Sequence, residues 1–316
     1  SFESAWKVVV SSFSSPEQDS SNELWIESWE EISLALALFD PDDASATLND
    51  YLSTGKNVDF KLPFSLGSNG RLYPASTLRL YALDLVGAYS SKESIPVSLK
   101  ILKSSAPLAE QVVALRNLAW AHYPGANDLL RTKAYSVLGD SSIKRDLSNE
   151  ALNLFDVFVY LKDTESLPLL TSFQKKNEKE NLREGAHLAL YKLAQRDTYS
   201  VLKYLRENMD SMSEYPLARA DLFAMADISD EKQLELIKDY LLDPSLTKDE
   251  LTQFFGLFPN RNQFVSFNLL TDYDSDMAYA EKRRESGLLS ELEEASQDRR
   301  YIEIIKALSV DDLEPP

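Results

Sequence analysis

Any chemistry in this 316-residue chain has few tools, because it holds two histidines and no cysteine. Without thiols there are no disulfides, thiolate metal sites or cysteine nucleophiles. His122 precedes Tyr123, Pro124 and Gly125 at the end of one amphipathic segment, and His187 lies inside another, beside Ala186 and Leu188. A histidine dyad would need both, yet they fall in different segments with different surroundings, so ordinary hydrogen bonding is the expected use of each. Asp272, Asp274 and Asp276 imitate the opening of a calcium loop, but Met277 stands where the turn needs Gly and Arg283 where the closing Glu belongs. Asp40, Asp42 and Asp43 surround Pro41 and read as one helix ending and the next beginning, where carboxylates suit the helix dipole. Glu30 with Glu31, and Glu293 with Glu294, are neighbours that point in different directions on a helix, so they read as solvated faces rather than acid/base pairs. No phosphate-binding Gly loop, GxSxG elbow or HExxH motif occurs. The expectation is a non-enzyme with no catalytic, cofactor-binding or metal residues.

Charge narrows the partners. The net charge is −18 and the pI about 4.6. Nucleic-acid binding depends on phosphate neutralisation by Lys and Arg, so nucleic acid is not expected, and an anionic membrane surface is disfavoured by the same repulsion. The longest apolar run, Ile32 to Phe39, is far short of the roughly 20 residues that span a bilayer. A soluble protein is expected. Beginning at Ser1 without Met fits a processed form as well as a trimmed one, and a periplasmic or secreted location is ranked ahead of a cytoplasmic one.

The elements that would position these residues are helical. A hydrophobic content of 44% with only nine glycines favours long helical pattern over tight turns. In residues 1–54 the spacing of Phe2, Trp6, Val9, Val10 and Phe13 traces one buried helix face. A second helix follows from Asn22 to Phe39, carrying Trp25, Ile26, Trp29, Ile32 and Leu36, and a third runs from Asp43 to Leu52. Residues 55–74 break the pattern with three glycines and two prolines, and Asn69 with Gly70 has the chemistry of a tight hairpin turn. An ordered loop or miniature hairpin is expected there, a connector or a recognition loop.

Over residues 75–270 helical hairpins recur. First helices are placed at about Ala75 to Tyr89, Pro107 to Ala121, Leu147 to Leu161, Asn181 to Ala194, Glu214 to Ala226 and Thr247 to Phe258. Their starts are 32, 40, 34, 33 and 33 residues apart, with one insertion near Gly139 to Asp146. Second helices are placed at about Ile95 to Leu102, Asp128 to Leu138, Ser166 to Phe173, Tyr199 to Arg206, Glu231 to Leu241 and Gln263 to Leu270. Thr247 with Glu250 reads as a capping box, Pro107 and Pro216 as first-turn prolines, and Ala82, Ala114, Ala189 and Ala220 as sites of close helix approach. Residues 271–316 depart from the period and read as a helical cap and tail.

The stretch Leu182 to Leu205 resembles the short variety of HEAT repeat. Leu182, Arg183, Ala186, Leu190 and Leu193 fall on its pattern, as do Leu78, Arg79, Ala82, Leu83 and Leu85, while Gly185 departs from the usual Ala. A tetratricopeptide array has a similar period, but its Trp/Leu-Gly-Tyr arrangement is missing. The resemblance implies an all-α, right-handed α-solenoid of about six degenerate HEAT-like hairpins, whose second helices line a concave face. Aligning those helices places Lys100, Lys203, Asp239 and Asn268 in one row, with Tyr204 and Tyr240 beside it as contact aromatics or packing residues. The expected function is a non-catalytic scaffold binding a protein partner with a basic patch. The alternatives are a helical-scaffold enzyme or small-ligand binder with a central pocket, and weak calcium-dependent adhesion.

Overall fold

The computed structural model describes residues 1–13, 38–59, 65–66, 72–73, 76–89, 92–140, 153–176 and 178–258. These residues are all-helical apart from one two-residue strand pair. They fall into two compact units that divide between Leu161 and Lys162, inside the span expected to form one array.

In the first unit, α1 (Phe2–Phe13) buries Phe2, Trp6 and Val9, the face its spacing predicts. Of the expected second helix only Leu38 and Phe39 are described, and Phe39 meets the Phe2 ring edge-on at 5.7 Å. Helix α2 (Pro41–Ser53) starts with a first-turn proline, and the Asp40 carboxylate accepts from the amides of Asp42 and Asp43. Asp43 in turn accepts from the Phe2 amide at 3.0 Å, which ties α1 to α2. The acidic triplet thus serves a helix start. In the 55–74 stretch, β1 (Ser65–Leu66) and β2 (Leu72–Tyr73) pair antiparallel with Ser65 opposite Tyr73. This is the expected miniature hairpin, with Asn69 and Gly70 outside the described residues.

Five helices follow, α3 (Leu78–Tyr89), α4 (Ile95–Leu102), α5 (Leu108–Trp120), α6 (Ala126–Gly139) and α7 (Asn153–Leu161). Helix α3 packs on α2 and α5, α5 also on α4 and α6, and α6 on α7. The first helices are interior. In α5 every residue from Val112 to Ala119 is buried, as in a helix enclosed on all sides. Helix α4, by contrast, buries only Ser98 and Ile101. Ala82 and Ala114 are fully buried and allow the close approach that their size predicts.

The second unit opens with a 3₁₀ turn, Thr164–Ser166, leading into α8 (Leu167–Ser172). Then come α9 (Glu180–Arg196), α10 (Thr198–Glu207), α11 (Pro216–Phe223), α12 (Glu231–Leu241) and α13 (Lys248–Leu257). First helices pack on first helices, α9 on α11 and α11 on α13, while α10 packs on α9, α11 and α12. Helix α10 is amphipathic, burying Val201, Leu202 and Leu205 and leaving Lys203 exposed. Asp197 caps it by accepting from the Ser200 amide, and Asp230 caps α12 through the amides of Lys232 and Gln233. Thr247 caps α13 through the Glu250 amide at 3.2 Å, but the other half of the expected capping box is absent, because the Glu250 carboxylate is used elsewhere. The expected second helix Gln263 to Leu270 and the 271–316 cap lie outside the described residues.

Candidate functional site

Several polar side chains of the first helices reach a neighbouring first helix at a nearly constant sequence spacing. Arg79 of α3 donates through Nε to both oxygens of Glu110 on α5, at 3.1 and 3.2 Å, and through Nη1 to the Leu52 carbonyl. Arg219 of α11 does the same in the second unit, donating to both oxygens of Glu250 on α13 at 2.8 and 3.0 Å and to the Met209 carbonyl. Each arginine grips a carbonyl before its own hairpin and a glutamate 31 residues on. Arg183 on α9 holds the corresponding place by lying 5.1 Å over the Tyr215 ring. A second rung lies beside the first: Arg116 donates to Asp84, and Gln253 donates to Asp221 at 2.7 Å, both 32 residues apart.

The most enclosed of these groups is the trio Arg219, Tyr240 and Glu250. The Tyr240 hydroxyl donates to Glu250 Oε1 at 2.8 Å, and its ring stacks on Phe223 with centroids 3.8 Å apart. Burial, reinforced by the Glu250 charge, raises the Tyr240 pKa, so the phenol stays protonated. Burial of Arg219 opposes its charge, but the hydrogen bonds and charge of Glu250 outweigh it and hold the guanidinium above its ordinary value. Glu250 is 1% exposed with both oxygens engaged, so no reacting group can reach it. The trio is structural. Breaking such a buried pair by removing one partner costs about 3–5 kcal/mol, because the other charge is left stranded.

The residues expected to form the partner-binding row are placed as follows. Lys203 is exposed on α10, 4.0 Å from Glu207 one turn on. Asp239 is exposed on α12 and accepts from Arg206 Nε at 2.6 Å, while Arg206 Nη1 reaches Asp243 at 2.9 Å. The hydrogen bonds of Asp239 lead the causes that raise the Arg206 pKa, against a smaller opposing effect of burial. Asp243 is lowered because its bonds from Ser245 and the charge of Arg206 overcome its partial burial. The Tyr204 hydroxyl shares a 3.2 Å hydrogen bond with Thr171 of α8, which ties this aromatic to a neighbouring helix. Of its two expected uses, contact aromatic or packing residue, Tyr240 takes the second, since it is 0% exposed and its ring stacks on Phe223, which removes it from the partner-binding row. Lys100 is exposed on α4 in the first unit, and Asn268 lies outside the described residues.

Within the second unit the structure therefore gathers Lys203, Arg206, Glu207, Asp239 and Asp243 on two adjacent helices. Sequence reasoning missed Arg206 and Asp243, although Arg206 to Asp239 repeats the 33-residue period. His122 is exposed in the first unit, and His187 lies in α9 in the second. Among the described residues no group of three His, Cys, Asp or Glu could hold a metal ion, and no helix is long and apolar enough to cross a membrane. No family model, curated protein or solved structure matches this chain.

Proposed function

We propose that this chain is a non-catalytic, protein-binding scaffold. In this reading HEAT-like hairpins stack, within each unit, as turns of a right-handed α-solenoid, and the face lined by second helices receives a partner with a basic patch. One observation supports it above the rest: the buried arginines Arg79 and Arg219 of the first helices are spent on glutamates of neighbouring helices, whereas the second helices α10 and α12 carry exposed charges. Glu207, Glu231, Glu235 and Asp239 are exposed there, against exposed Lys203 and Lys232. Clustered acidic groups on a −18 molecule steer positively charged partners by long-range attraction.

The test is affinity capture from the native extract with the full chain as bait, alongside Asp239→Lys, Lys203→Glu and Lys100→Glu variants. Loss of a captured partner on reversal at Asp239, which replaces an acidic group with a basic one, with retention by an Asp249→Lys control on α13, supports the second-helix face. Undiminished capture by Asp239→Lys, or loss only on the Lys203→Glu and Lys100→Glu reversals that add acidic charge, rules this face out and directs attention to the 55–74 hairpin.

A further inference from the structure

One titratable group in the second unit lies outside the proposed partner-binding row. His187 is half-buried in the middle of α9, with its ring 6.5 Å from Tyr191 and Nδ1 sealed from water without a hydrogen-bond partner. A neutral imidazole accommodates this, because one of its nitrogens carries no proton. An imidazolium does not: both nitrogens become donors, and the proton at Nδ1 has nothing to receive it. We propose that the contact of α9 with α11 is an acid-sensitive latch, closed while His187 is neutral and loosened when the ring takes a proton.

The surrounding charges leave this direction intact. Helix α8 has no charged residue, and on α10 Lys203 pairs with Glu207 while Arg206 is engaged by Asp239 and Asp243. On α11, Arg219 is tied to Glu250, and Asp221 favours the imidazolium but already accepts from Gln253. On α9 itself Arg183 lies over Tyr215, Glu184 is exposed and Lys192 is buried. Burial prevails over Asp221, so the His187 pKa falls below its ordinary 6.5. The folded state then binds fewer protons than the unfolded chain. Stability present above about pH 6.5 is lost as pH falls through the lowered folded value.

The experiment is thermal unfolding of the full chain between pH 7.5 and 5, comparing wild type, His187→Gln and His122→Gln. The expected result is that wild type and His122→Gln lose several degrees more than His187→Gln over this range. Parallel curves, or a wild type that gains relative to His187→Gln through an Asp221 pair, overturn the proposal. Should His187→Gln not fold, the wild-type imidazole resonances decide, His122→Gln identifying which belongs to His187. A His187 midpoint below 6.5, with faster amide exchange in α9 and α11 under acid, supports the latch; a midpoint at or above 6.5 overturns it.

Discussion

Gly87 and Asn117 show how closely single residues are fitted in the first unit. A Cβ on Gly87 would stand 2.0 Å from Asn117 Oδ1 and 2.4 Å from its Cγ. Asn117 cannot yield easily, since it is 0% exposed, donates to the Leu83 carbonyl at 2.9 Å and accepts from Arg116 at 2.8 Å. Alanine is the better helix former by about 1 kcal/mol, yet overpacking a fixed interior costs about 1–3 kcal/mol. Overpacking wins, so Gly87→Ala lowers the melting temperature. In an Asn117→Ala background the same substitution costs far less, and a thermal double-mutant cycle measures that coupling. Equal costs in both backgrounds would show that α3 and α5 do not meet at these residues.

At the scale of helices, capping chemistry decides where segments begin. Asp40→Ala removes the acceptor for the amides of Asp42 and Asp43, and is expected to cost about 1 kcal/mol. The loss is local, so amide exchange in the first turn of α2 should accelerate roughly fivefold while α5 is unchanged. This helix start was legible in the sequence, because proline and aspartate act through their own backbone. Helix positions were legible too, from the recurrence of apolar residues near the 33-residue period: α4 is Ile95–Leu102 and α12 is Glu231–Leu241, with the bounds expected. The site was less legible. Tyr204 and Tyr240 are adjacent to aligned polar positions, but periodicity gives a helix face only to within part of a turn, and Tyr240 falls on the buried side. Glu250 had the spacing of a capping box with Thr247, and a buried arginine on α11 outcompetes the local amide for its carboxylate. Nothing local announces a partner 31 residues away.

At the scale of the whole chain, a net charge of −18 sets two effects against each other. Added salt weakens exposed ion pairs such as Lys7 with Glu3 and Lys203 with Glu207, each worth about 0–1 kcal/mol. Salt also screens the repulsion among surplus carboxylates, which acts across the molecule once the Debye length exceeds about 10 Å. Enclosed pairs such as Arg219 with Glu250 are little affected by either change, being 7% and 1% exposed. With 51 acidic residues against 33 basic ones, repulsion outweighs such weak exposed pairs. Raising NaCl from about 10 to 150 mM should therefore raise the melting temperature by a few degrees, as screening shortens the Debye length from about 30 to 8 Å. A fall would mean that exposed ion pairs dominate the electrostatics. The same screening should slow association with any basic partner, so stability and capture respond to salt in opposite directions.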